Sequence, residues 1–224
     1  MRFLGAYTWA KSLDNGSGYQ DYLSPYDQRR NRALSTFNVS HNFVASYTYD
    51  LPLKRLTKST SGISAKFLDG WEVAGITRFA TGVPVRLSNS GDRSLCGCGY
   101  GIPVDRPNYT GKPLQFFDPR DNPKHQYFST GPEFFTEEDI GMPGTAARRF
   151  FHGPGLNNWD FALSKMTHVN ERITLEFRTE FFNLFNHAQF NMNTSSGNVA
   201  SRRFGLVSSA QPGRIGQFGL KLNF

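Results

Sequence analysis

Residues 171–182 read ERITLEFRTEFF, and their order decides the fold. Ile173, Leu175, Phe177, Thr179 and Phe181 alternate with Arg172, Thr174, Glu176, Arg178 and Glu180. A helix would scatter these charges around its circumference, whereas a strand puts them all on one side. Period two returns at the end of the chain. Gly216, Phe218, Leu220, Leu222 and Phe224 share one side there, and Ile215, Gln217, Gly219, Lys221 and Asn223 the other. In TFNVSHNFVASYTYD (36–50), Phe37, Val39, His41, Phe43, Ala45, Tyr47 and Tyr49 oppose a largely polar set, and only His41 and Val44 break the pattern. GWEVAGITRFA (70–80), NWDFALSKM (158–166) and RFLGAYTWA (2–10) alternate too, with Lys165 violating the rule near one end of its run. The sum is about six strands and no amphipathic helix.

These runs span about 9–14 residues, longer than the usual soluble strand of about 5–6 and suited to a tilted membrane strand of about 9–11. Composition agrees. Hydrophobic residues make up 38% of the chain, yet aromatics reach 15%, with 21 Phe, 9 Tyr and 3 Trp. Few aliphatics and many rings suit one apolar, aromatic-edged surface around a polar interior. No apolar run approaches the roughly 18 residues of a membrane helix, and MRFLGAYTWAKSLDNG opens the chain as strand and turn, unlike a signal peptide. The net charge of +7 is spread out, with small clusters only at DQRRNR, LKRLTK and ARR. That dispersal argues against a nucleic-acid partner.

The connections are unequal. HVN (168–170) is tight, whereas roughly 12–36, 81–157 and 185–213 are long, and these three fall at one end of an up-and-down meander. The connection at 51–70 falls at the other end with HVN and is longer than a usual periplasmic turn. The expected fold is therefore all-β, an antiparallel up-and-down transmembrane β-barrel segment with long extracellular loops. Six strands are too few to close a barrel, since the smallest have about eight. In that topology Tyr47, Tyr49 and Trp71 lie near the periplasmic boundary and Tyr7, Trp9 and Trp159 near the outer one, forming two aromatic girdles. Charges on a lipid face would each cost about 2–4 kcal/mol near mid-membrane, so Arg172, Glu176, Arg178, Glu180, Glu72, Arg78 and Lys221 are expected to face the lumen. There the favoured role is mutual pairing or docking of a plug, ahead of contact with solute.

The tail QFGLKLNF resembles the C-terminal assembly signal of outer-membrane barrels, carried here by Gln217, Gly219, Leu222 and Phe224. An edge strand with unpaired backbone groups is what barrel-assembly machinery can capture by strand addition. A wider resemblance rests on HNFVASYTYDLP (41–52), GWEVAGITRFATGVPV (70–85), DRPN (105–108), RRFFHGPGLNNWDFALSK (148–165), ERITLEFRTEFFNLFNHAQF (171–190) and GRIGQFGLKLNF (213–224). Their order is similar to the C-terminal barrel region of TonB-dependent outer-membrane transporters of the Oar-like type. That resemblance implies a barrel of about 22 strands, an N-terminal plug and energised uptake of a large or scarce solute. The plug, the TonB-contacting segment and the N-terminal strands are expected to lie outside residues 1–224.

Little else in the sequence offers chemistry. Cys96 and Cys98, in SLCGCGYG (94–101), lack Cys-x-x-Cys spacing, and a zinc site needs about four ligands. The expectation is a Gly-rich loop whose cysteines oxidise together or stand apart. The histidines at 41, 125, 152, 168 and 187 are dispersed, and no hydrolase, zincin or phosphate-loop motif is present. TEEDI (136–140) lacks the alternating ligands of a calcium loop and reads as a solvated segment. GMPG (141–144) and GPG (153–155) read as loop punctuation. The sequence therefore predicts no enzyme and no cofactor. It predicts a transporter wall whose partners are outer-membrane lipid, the barrel-assembly machinery, the plug, TonB and an unidentified solute. The alternative is a surface binding or adhesion protein, anchored by its barrel, whose long loops contact a partner.

Overall fold

Six of the alternating runs become six long strands: β1 (Arg2–Trp9), β2 (His41–Leu51), β3 (Trp71–Ala80), β4 (Leu156–His168), β5 (Thr174–Phe182) and β6 (Ile215–Asn223). The structure, a computed structural model, describes residues 1–18, 21, 27–53, 67–95 and 105–224. Each long strand pairs antiparallel with its neighbours in sequence order, giving one six-stranded meander. Among the described residues β1 and β6 do not pair with each other, so the sheet is open.

Register assigns every side chain to a face, because residues directly opposite across a ladder point the same way. Tyr7 faces Phe43, Phe43 faces Phe79, Tyr47 faces Gly75, and Gly75 faces Phe161. Phe161 faces Phe181, which faces Gly216. One face of the sheet therefore carries at least one ring on every long strand. Its rings meet across strands: Phe43 stacks on Phe79 with centroids 6.3 Å apart, and Phe79 meets Trp159 edge-on at 5.7 Å. Glycine has a use on this face. A Cβ at Gly75 would fall 2.5 Å from the Tyr47 hydroxyl, and one at Gly216 would fall 3.0 Å from the Phe181 ring. Both glycines let a neighbouring ring lie flat over the ladder.

The connections 52–70 and 169–173 lie at one end. Between β4 and β5, Asn170 Oδ1 accepts from the backbone N–H groups of Arg172 (2.9 Å) and Ile173 (2.8 Å), an Asx-type turn. That turn corrects one expectation: β5 begins at Thr174, so Arg172 belongs to the turn and not to the charged ladder. At the same end, Gly70 adopts φ +75°, and its carbonyl accepts from Met166 N–H at 2.8 Å. A Cβ there would sit 2.1 Å from the Met166 carbonyl oxygen, so only glycine fits. Lys165, the one charge on the aromatic face of β4, sends its Nζ to the Asp69 carbonyl (2.8 Å) and lies 5.3 Å from the Trp71 ring centroid. Its long stem carries the ammonium to the end of the sheet.

The opposite end carries the main surprise. The buried apolar core is built from the long connections, with Val85, Leu87, Phe128, Phe134, Phe135, Ala146 and Phe151 at its centre. Phe128 is fully buried and packs edge-on against Phe151 (4.9 Å) and Phe204 (5.4 Å). A single-layer sheet has no second layer to pack on, so apolar burial moves to where chain can fold back on itself. The sequence reading placed the aromatic surplus on the sheet surface; a large share of the rings instead forms this cap. GPG and GMPG are also part of it. Gly153 N–H donates to Val83 O at 2.9 Å, and a Cβ at Gly144 would fall 1.7 Å from the Arg106 carbonyl oxygen.

Capping also shortens β2. The alternation predicts a strand from Phe37, yet the ladder begins at His41. Asn38 is buried and its side chain is engaged elsewhere. Its Oδ1 accepts from Ser12 N–H at 2.6 Å, and its Nδ2 lies 2.8 Å from His152 Nε2. An asparagine that can satisfy other chain segments competes with the ladder and wins here.

Candidate functional site: a cavity beneath the cap

The face opposite the rings is polar, and the register brings most of the predicted charges onto it. Glu72 lies opposite Ser164, Ser164 opposite Arg178, and Glu176 opposite Lys221. Arg78 and Glu180 occupy the same face, as does Gln217, whose Nε2 donates to Glu180. Arg178 and Glu180 form an ion pair along their own strand. Arg78 Nε donates to Asn42 Oδ1 at 3.0 Å and, among the described residues, forms no ion pair with a carboxylate. Glu72 faces Asp50 across the ladder, an acidic neighbour that sequence reading overlooked.

The aromatic residues sit on the other face, in two groups. Tyr7, Trp9 and Trp159 lie toward the cap, where Tyr7 Oη is 2.7 Å from His41 Nδ1 and Trp159 meets Phe185 at 5.6 Å. Phe43, Phe79 and Phe185 join this group without having been singled out. Tyr47, Tyr49 and Trp71 lie toward the connections 52–70 and 169–173, and Trp71 Nε1 donates to Phe67 O at 3.0 Å. Of the tail residues, Gln217, Gly219 and Leu222 belong to the exposed edge strand β6, and Phe224 follows it, 96% exposed. Cys96 and Cys98 lie outside the described residues.

Where the polar face meets the cap, all three long connections line an open cavity of about 690 Å³. Arg78 and Ala80 of β3 form its floor, and Asp21, Arg86, Arg149 and Gln189 contribute to its walls. The connection before β2 is held down by a buried ion cluster. Asp21 accepts from Arg149 through both carboxylate oxygens, one bond measuring 2.7 Å, and also from Arg148. Arg148 reaches Asp14 Oδ1 at 2.9 Å, and Arg86 Nε approaches Asp21 to 3.9 Å. Burial pushes the Asp21 carboxyl up. Hydrogen bonds from Arg149 and Ser17 and the charges of Arg149 and Arg148 outweigh it, leaving the group below the ordinary carboxylate value. Tandem arginines reach one aspartate because Leu87 N–H bonds to Arg148 O (2.9 Å) and Val85 N–H to Phe151 O (3.1 Å), fixing residues 148–151 beside residues 85–87. A sequence clue existed: ARRFF couples two charges directly to two rings inside a supposed loop.

A second buried carboxyl corrects the reading of TEEDI. Glu137 pairs at the surface with Arg93 (3.2 Å), but Glu138 is fully buried, with Oε2 accepting from Asn89 Nδ2 at 3.0 Å. Its Oε1 accepts no hydrogen bond among the described residues. Burial first, then the neighbouring Asp105, raises the Glu138 carboxyl above its ordinary value. Among the described residues no group of three or more His, Cys, Asp or Glu is placed to hold a metal ion.

Comparison with known proteins fits this geometry. No curated protein and no solved structure matches the chain. A family model described as an outer membrane beta barrel domain matches residues 1–217, nearly the whole chain. That family lies in the outer membrane, where rings and aliphatic side chains on one face of a long-stranded meander meet lipid. On the match across residues 1–217, together with the six-stranded antiparallel sheet, the chain belongs to the outer membrane β-barrel domain family.

Proposed function

We propose that this chain supplies barrel wall, lumen lining and outer loops to a TonB-dependent transporter that takes up a solute across the outer membrane. The observation that carries the reading is the cavity lined jointly by the polar face and the folded cap. A barrel that serves only as an anchor has no need for its loops to close over the lumen entrance. In the proposed protein the sheet is one sector of a larger closed barrel, because an open ladder edge in lipid leaves backbone groups unpaired at several kcal/mol each. Glu72, Arg78, Glu176, Arg178, Glu180 and Lys221 line the lumen, and a plug held there by the other part of the protein gates it. The protein works without a cofactor and without covalent chemistry. Gln217, Gly219, Leu222 and Phe224 present β6 to the barrel-assembly machinery.

The test is depletion of small solutes from the growth medium, compared between cells with and without the full-length protein. A solute whose uptake needs the protein, and stops on addition of a protonophore or removal of TonB, is the expected result. If no solute depends on the protein, while attachment of the cells to a surface or partner does, the adhesion reading replaces this one.

A further inference from the structure

We infer that the cavity beneath the cap takes an anionic solute, recognised through a carboxylate, phosphate or sulfonate group by Arg78 and Arg86, with the charge of Arg149 behind them. The inference rests on the transport reading above and names the class of solute for the same site.

The charge balance of the walls is the first argument. Asp21 is the one carboxylate among the described residues lining the cavity, against three arginines. The segments outside the described residues contain no Asp or Glu at all. Behind the wall, Asp14 and Asp21 together face Arg86, Arg148 and Arg149, which leaves one positive charge over. Arg78 adds another guanidinium from the floor, where its hydrogen-bond partner is the neutral side chain of Asn42. A neutral solute would displace water from these guanidinium groups and return no charge to them. An anion restores the balance, and guanidinium forks match the two oxygens of a carboxylate or phosphate.

Geometry supplies the second argument. Arg149 is held rigid by its two bonds to Asp21, and Arg86 lies beside it, half-buried. Burial lowers the Arg86 guanidinium from its ordinary value; Asp21 opposes this, and the charges of Arg149 and Arg148 add to it. The arginines therefore repel one another across a partly dry wall, and an anion between them relieves that repulsion. Arg78 belongs to the barrel strand and the other two to the cap, so a bound anion would bridge wall and lid. About 690 Å³ falls within the roughly 300–1,000 Å³ usual for small-molecule sites.

The experiment uses the full-length protein, folded in detergent and titrated calorimetrically with citrate, with inorganic phosphate and with glucose. Citrate or phosphate is expected to bind saturably and glucose not at all, with affinity falling as salt rises. Arg78→Gln and Arg86→Gln should each weaken the anion by about tenfold or more, the scale of a lost hydrogen bond to a charged group. Arg78 is exposed on the floor, so its variant keeps the fold, checked by unchanged heat-modifiable mobility, even if Arg86→Gln loosens the cap. Absence of binding by both anions, glucose binding as tight as citrate, or full affinity in Arg78→Gln would overturn the inference. Because binding in detergent needs no energy source, anion binding without energised uptake would refute the transporter alone. Energised uptake of a neutral solute without anion binding would refute the anion site alone.

Discussion

Replacing Phe128 by alanine should open the cap and leave the barrel standing. Phe128 is fully buried, with Phe151, Phe204 and Phe135 edge-on around it at centroid distances of 4.9, 5.4 and 6.2 Å. Truncating an enclosed phenylalanine costs about 3–5 kcal/mol, including the cavity left behind. At about 1.4 kcal/mol per factor of ten, the opening equilibrium of the cap shifts by roughly a hundred- to a few thousand-fold. Protease attack on a locally opened segment follows that equilibrium when closing outruns cleavage. Intact cells displaying the full-length variant should therefore lose the 81–155 connection to proteinase K at least about a hundred times faster than wild type. Heat-modifiable mobility of the barrel should not change, because none of the rings around Phe128 belongs to the six-stranded ladder. Phe37→Ala, at a position 68% exposed, is the control and should behave as wild type. Wild-type protease resistance in Phe128→Ala would refute a cap held by its own core. Loss of barrel mobility along with the cap would show that the two fold as one unit.

Substituting Leu175 or Phe177 with arginine should reduce folded protein in outer-membrane fractions, since each guanidinium meets lipid at a cost of about 2–4 kcal/mol near mid-membrane. Thr174→Gln or Glu176→Gln, on the polar face, should assemble at wild-type levels; equal tolerance on both faces would contradict the face assignment. Removing Phe224 should sharply lower the amount of heat-modifiable protein if it acts in strand capture. Its ring is 96% exposed, so a role in packing predicts almost no change. Glu138 gives a pH prediction. A carboxyl raised in the folded state adds stability at low pH, which is lost as pH climbs from the unfolded value of about 4.3 through the raised one. Glu138→Gln should abolish that loss, leaving the cap at pH 7–8 at least as protease-resistant as wild type. A less resistant variant would mean that Glu138 acts as a charged carboxylate.

The strands were legible because alternation is a local signal. Each of the six runs declares its two faces within about ten residues, and lipid on one side with water on the other keeps that pattern nearly free of noise. ERITLEFRTEFF therefore located β5 and its charged face, apart from Arg172, where an Asx turn set by Asn170 ends the pattern early. Lys165 broke the alternation in sequence and still lies on the aromatic face; its reach to Asp69 O and the Trp71 ring makes that position tolerable. The cap was not legible. Its core joins Val85, Phe128, Phe151 and Phe204, and its ion cluster joins Asp14 and Asp21 to Arg148 and Arg149, all without a repeating spacing. Contacts between residues tens of positions apart in the core, and more than a hundred apart in the ion cluster, leave no period for a sequence reading to find. Sequence by itself determined the sheet, because membrane and water act on each residue of a strand separately. Only the tertiary structure decided that the loops fold into a cap with its own core and line an arginine-bearing cavity, because a core and a buried ion cluster exist only once distant segments meet.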